Sequence, residues 1–104
     1  MGIRFDDEHA PIFSVGQVAD LLGVQSAFVR RLDNEKVVQP ARSPGGQRRY
    51  SQTQVRQVAQ VSEMAGEGLN LAGIRRILVL EAEVERLKRK IEHLQSHDRS
   101  RRST

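Results

Sequence analysis

Arg42-Ser43-Pro44-Gly45-Gly46-Gln47-Arg48-Arg49-Tyr50-Ser51 is the stretch on which the reading of this chain turns. Pro44-Gly45-Gly46 cannot sit inside a helix, because proline lacks an amide donor and glycine carries a large backbone entropy cost. Two adjacent glycines do permit a tight turn with positive φ. Gln47, Arg48, Arg49 and Tyr50 follow the turn; all four can donate hydrogen bonds and none is acidic. A cationic hairpin of that kind suits an anionic backbone such as the phosphates of a duplex. A surface hairpin with solvated arginines is the alternative, so the flanking segments decide.

Upstream, Ser14 is a good N-cap for a helix over about Val15 to Leu22, with Val15, Val18, Ala19 and Leu22 on its buried face. Gly23 can take the left-handed conformation that ends it. A second short helix is predicted from about Ser26 to Asn34. Phe28, Val29 and Leu32 face inward there, while Gln25, Ser26, Arg30 and Arg31 face outward. Two short helices joined by a glycine-containing turn form a helix-turn-helix, whose second helix enters the major groove. Val37 to Pro40 then reads as an extended segment, with Arg49-Tyr50 as its return strand. The Gly-Gly turn becomes the tip of a wing. Helix-turn-helix plus basic wing is far more specific than either part, and it points to duplex DNA.

Downstream, Ser51 caps a helix from Gln52 to about Ala65, with Gln54 as capping-box partner. Val55, Val58, Val61 or Ser62, and Ala65 form its core stripe, and Met64 fills a gap. Gly66-Glu67-Gly68 ends it. Leu69 is expected in the core, and Asn70 caps a helix beginning near Leu71, whose Ile74, Ile77 and Leu78 are expected to fold back on the helix-turn-helix. Ile77, Leu80, Val84, Leu87, Ile91 and Leu94 continue at 3-4-3-4-3 spacing. They alternate as a and d positions, and β-branched a with Leu at d favours two-stranded coiled coils. That seam runs for ~26 Å at 1.5 Å per residue. The flanking charges leave its orientation open: Glu83 meets a lysine in either pairing, Lys88 if parallel and Lys90 if antiparallel.

The fold class expected is mainly α: a winged helix-turn-helix with a C-terminal dimerisation helix. Its parts are a flexible arm over 1–11, the DNA-binding domain over 12–76, a coiled-coil helix over 77–95 and a disordered basic tail over 96–104. The net charge is +4, from 17 Lys and Arg against 13 Asp and Glu, and its distribution is uneven. From Lys36 to Ser62 no acid occurs, whereas Lys36, Arg42, Arg48, Arg49 and Arg56 do. A basic stripe confined to one segment is the footprint of a nucleic-acid partner.

The absence of cysteine excludes disulfides and thiolate metal sites. No apolar run approaches the ~18 residues of a membrane span, so a cytoplasmic, nucleoid-associated protein is expected. His93 and His97 stand at i, i+4, but on a solvated helix end, and no metal or other cofactor is expected. An enzyme is not expected either, since no His/Asp/Glu constellation or phosphate-binding glycine loop is present.

These residues resemble the MerR family of bacterial transcription regulators. The match runs from about Phe13 to Leu80, through Phe13-Ser14-Val15-Gly16-Gln17-Val18-Ala19, Leu22-Gly23-Val24, Val29-Arg30, Asp33, Val38, Pro40, the wing Gly45 to Ser51, and Leu69 to Leu78. The wing and the Gly68-Leu69-Asn70-Leu71-Ala72-Gly73-Ile74 segment look closest to the short heat-shock repressor (HspR-type) branch. The resemblance implies a two-fold dimer joined by the C-terminal helix, usually antiparallel, and an inverted-repeat promoter site. It also implies repression of chaperone genes, with room for a protein co-repressor such as a chaperone. Where the family commonly has aromatics after the recognition-helix arginine, this chain has Arg31 and Leu32, and no ligand domain is expected after the coiled coil.

The DNA-binding residues expected are therefore Ser14, Gln25, Ser26, Arg30, Arg31, Arg42, Gln47, Arg48, Arg49 and Tyr50. Arg30 or Arg31 with guanine and Gln25 with adenine are the base readers expected from hydrogen-bond geometry. The wing residues grip phosphate or the minor groove, and Ser14 adds a helix-terminus phosphate contact. An architectural or excisionase-like DNA bender and a coiled-coil interaction adaptor are the rival readings.

Overall fold

Two serines set where the first and third helices begin. Ser14 precedes α1 (Val15–Leu22) and Ser51 precedes α3 (Gln52–Gly66). Each hydroxyl accepts from the backbone N–H three residues on, Gln17 at 3.2 Å and Gln54 at 3.1 Å. Each of those glutamines returns the bond to the serine N–H, at 2.9 and 3.0 Å. Both ends are thus reciprocal capping boxes that satisfy amides the helix itself leaves open. Ser51 is buried, so losing its hydroxyl leaves the Gln54 N–H without its acceptor. Ser51→Ala is expected to cost ~1–2 kcal/mol, read as a lower urea midpoint with an unchanged m-value.

The computed structural model describes residues 7–102, and these divide into two units, one reaching to Ile74 and the other starting at Arg75. In the first, Gly23 ends α1 with φ 66°, and α2 (Ser26–Asn34) packs against α1. α2 closes with Lys36 at φ 59°. That left-handed residue lets the Val37 and Val38 amides turn back to the Leu32 carbonyl, at 2.7 and 3.2 Å. The core comprises Val18, Ala19, Val29, Leu32, Val38, Tyr50, Val58, Val61, Leu71 and Ile74.

The wing is β1 (Ala41–Arg42) antiparallel to β2 (Arg48–Arg49), with Ala41 opposite Arg49 and Arg42 opposite Arg48. Gly46 holds φ 83° at its tip, and the Ser43 hydroxyl accepts the Gln47 N–H at 3.1 Å. The outgoing strand lies later than the Val37–Pro40 segment expected for it. Val38 is drawn into the core instead, and Pro40 has no N–H to offer a ladder. Tyr50 pairs with Phe13 rather than with the outgoing strand: its N–H donates to the Phe13 carbonyl at 2.7 Å and the Phe13 N–H returns 2.9 Å.

Three further expectations are corrected. Residues 1–6 of the expected flexible arm lie outside the described residues, but residues 7–11 are tied down. The Glu8 carbonyl accepts both the N–H and the hydroxyl of Thr53, at 3.0 and 3.1 Å, and its carboxylate meets Arg56 at 2.9 Å. Leu69 is 41% exposed rather than seated in the core, because Gly68 at φ 97° turns the chain outward before Asn70. Asn70 does cap the next helix, its side-chain oxygen accepting the Gly73 N–H at 2.8 Å. Finally, α4 (Leu71–Arg102) continues past 95 as unbroken helix, so residues 96–102 are not disordered. No Gly or Pro follows Gly73, Asp98 pairs with Arg102 at 3.3 Å, and three arginines in the last turn complement the helix dipole.

Candidate nucleic-acid interface

The start of α1, the middle of α2 and the wing converge on one open cleft of about 310 Å³. α1 contributes Ser14, Val15 and Gly16, whose first-turn amides carry the positive end of the helix dipole. α2 contributes Arg30, and the wing contributes Arg42, Gly46, Gln47, Arg48 and Arg49. Four guanidinium groups and a helix N-terminus around one concavity give it a chemistry suited to anions.

The arginines are not equivalent. Arg30 is exposed and has no acidic partner within ion-pair distance among the described residues. Arg31 is spent locally, its Nε donating to Glu35 Oε2 at 2.6 Å. Arg49 is half-buried and carries no carboxylate partner among the described residues. Its guanidinium donates to Gln47 Oε1 at 2.8 Å and to the Arg48 carbonyl at 3.0 Å, which holds Gln47 and Arg49 together on the wing. Arg42 and Arg48, one from each wing strand, both donate to Asp33 Oδ2 on α2, at 3.0 and 2.6 Å. Gln25 stands exposed at the α2 N-cap with no side-chain cap bond, and Ser26 is half-buried as the first helical residue.

Tyr50 leaves the list of DNA contacts. Its side chain is 0% exposed and belongs to the core. The phenol oxygen has no hydrogen-bond partner among the described residues. Burial pushes its pKa up, Asp33 adds to that, and Arg48, Arg42 and Arg30 oppose it. Asp33 is the residue of this cluster whose partners composition concealed. A single acid on an arginine-rich helix was visible, but its partners lie 9 and 15 residues away, beyond any local spacing rule.

Within the second unit, α4 carries the expected seam uncovered. Leu80, Val84, Leu87, Ile91 and Leu94 are exposed and Ile77 is half-buried. No group of three or more His, Asp or Glu able to hold a metal occurs among the described residues, and no helix there is long and apolar enough to cross a membrane.

Residues 13–80 match the family described as MerR HTH family regulatory protein. The chain belongs to the MerR family. It is 32% identical over 91 residues to the HTH-type transcriptional regulator GlnR of Bacillus anthracis, covering 86% of this chain and 70% of that one. It is 37% identical over 82 residues to a putative heat shock protein HspR of Streptomyces coelicolor, covering 78% of this chain. There it spans 54% of the relative, about half its length. Among solved structures, the N-terminal part of MtaN, the Bacillus subtilis multidrug transporter activator, aligns with TM-score 0.59 at 26% identity, over 85% of this chain and 96% of that one. A MerR-family regulator from Bacillus cereus shares the fold, with TM-score 0.58 at 20% identity over 81% and 78% of the two chains. This MerR-family chain is a DNA-binding transcription regulator, mainly helical, with the family's helix-turn-helix and a long C-terminal helix.

Proposed function

We propose that this MerR-family protein is a cytoplasmic, nucleoid-associated repressor without enzymatic activity that binds an inverted-repeat promoter operator as a homodimer. The observation that carries the reading is the cleft where Arg30, the α1 N-terminus and the wing meet. Arg30 and Gln25 reach base edges in the major groove, while Arg49, Gln47 and the α1 amides hold flanking phosphates. The heat-shock name of the Streptomyces coelicolor relative supports stress genes as targets; a chaperone co-repressor is part of the proposal.

The stripe of exposed apolar residues on α4 supports the dimer, and the helix beyond Leu94 supports an orientation. Continuing the heptad places Asp98 at a and Arg101 at d. A parallel pair sets each against its own copy, like charge on like. An antiparallel pair matches Ile77 with Leu94, Val84 with Leu87 and Ile91 with Leu80, so every layer joins a β-branched residue to a leucine. It also sets Glu83 beside Lys90 and Glu81 beside Lys88 of the other copy, all attractive.

Selection of bound duplexes from a random pool, followed by competition against random duplex at fixed salt, tests the reading. A preference of at least about 10³ for one inverted repeat is expected. Parity with random duplex would reject the repressor in favour of a nonspecific architectural binder. Arg49→Ala should weaken every duplex and reduce the slope of log K against log salt by about 0.9. Arg30→Ala should instead weaken the selected duplex by ~1–3 kcal/mol more than random duplex. Fluorescence-anisotropy titrations at several salt concentrations read both.

A further inference from the structure

We infer that Asp33 is the positioning residue of this interface: one nearly buried carboxylate clamps both strands of the wing to the recognition helix and thereby sets the distance between base-reading and phosphate-holding groups. The inference rests on the proposed DNA reading and goes beyond it, since Asp33 itself would touch no nucleic acid.

The geometry is specific. Asp33 is 10% exposed at its side chain, and its Oδ2 accepts from Arg48 Nε at 2.6 Å and Arg42 Nη2 at 3.0 Å. Arg48 also reaches Asn34 Oδ1 at 3.4 Å, and Arg42 reaches the Gly46 carbonyl at 3.3 Å. The wing has only two residues in each strand, so its ladder alone defines its direction weakly. The clamp adds the missing restraint. Arg30 precedes Asp33 by three residues, which puts both on one side of α2, a single turn apart. The point where the wing is fastened is therefore one helical turn from Arg30 of the cleft.

The two clamped arginines differ in how firmly they are held. Arg48 is 21% exposed and makes the shorter bond; Arg42 is 52% exposed and makes the longer. One carboxylate cannot neutralise two guanidinium groups, so a net positive charge remains at the clamp. An arriving phosphate can draw on Arg42 while Arg48 keeps the wing attached. Arg42 thus contributes to counterion release and Arg48 to register.

The test compares wild type, Asp33→Asn and Asp33→Glu on the duplex that wild type selects and on random duplex. Asp33→Asn removes a negative charge and frees two cations, so random-duplex affinity should hold or rise a few-fold. Selected-duplex affinity should fall, lowering the ratio of the two by at least about tenfold, because displacing a supporting group misplaces the contacts it holds. Asp33→Glu should recover part of that ratio. A ratio within about twofold of wild type in Asp33→Asn would overturn the inference, whatever the change in melting temperature. Salt titrations add a second arm on a folded chain: Arg42→Ala should reduce the slope by about 0.9 and Arg48→Ala should leave it. Equal slope losses would overturn the division of roles.

The clamp can also be read without DNA. In the free protein the Arg48 Nε proton should exchange slowly with water by NMR, and Asp33→Asn should abolish that protection. A fast-exchanging proton in wild type would sink the clamp. A wild-type protein with a protected proton but no preference for any duplex would sink the repressor reading instead.

Discussion

Replacing Leu87 with lysine is expected to convert the protein to a monomer and remove most of its operator affinity. Leu87 is 43% exposed on the single chain, midway along a stripe with Val84 and Ile91. In the antiparallel pairing it lies opposite Val84 of the other copy, so two lysines enter the centre of the seam. Each substitution forfeits ~1.5–3 kcal/mol of leucine burial. Each also brings an ammonium into an apolar layer, against Val84 of the other copy, where its desolvation opposes pairing. A combined loss of about 5 kcal/mol raises the dimer dissociation constant roughly 10³- to 10⁴-fold. Lysine and leucine have similar helix propensities, so helicity by circular dichroism should change little beyond what dimer loss removes. A monomer grips one half-site, and operator binding falls with the dimer. Sedimentation equilibrium showing an intact dimer in the variant would reject the seam.

How much of this was legible in the sequence divides along contact range. Ser14, Gly23, Ser51 with Gln54, and the Gly-Gly turn each act on residues within five positions, and each stands where local rules put it. The 3-4-3-4-3 stripe was legible for the same reason, since a helix turns spacing into a face. What escaped depended on partners far along the chain. Glu8 fastens to Thr53 and Arg56, 45 and 48 residues on, so a charged stretch that reads as a mobile arm is held. Asp33 enters the family match with no partner assigned, because Arg42 and Arg48 lie 9 and 15 residues on. The expected tail at 96–104 was judged by composition, yet Asp98 and Arg102 stand four apart on a helix that nothing interrupts before Arg102. Tyr50 was misplaced by company: after two arginines it reads as another wing contact. Its pairing with Phe13, 37 positions earlier by number, sends the side chain inward.

That misplacement has a sharp experimental consequence. Tyr50 is the largest fully buried side chain of the described core, and its ring lies in unit one with the Val18, Val29, Leu32 and Val58 group. Tyr50→Ala opens a cavity of ring size and is expected to destabilise by ~3–5 kcal/mol, as large aromatic truncations do. For a small domain with ~5–10 kcal/mol in total, that leaves a substantial unfolded fraction. Tyr50→Phe removes only the hydroxyl, which is buried without a hydrogen-bond partner among the described residues. Deleting an unsatisfied polar group keeps the packing and relieves its desolvation, so the change should be neutral or stabilising by up to ~1 kcal/mol. A phosphate-gripping tyrosine predicts the opposite pattern, with little change in stability and a loss of affinity in both variants. Urea unfolding of the two variants beside their affinity for random duplex separates these cases. Weakened binding in Tyr50→Phe at undiminished stability would return the phenol to the DNA interface.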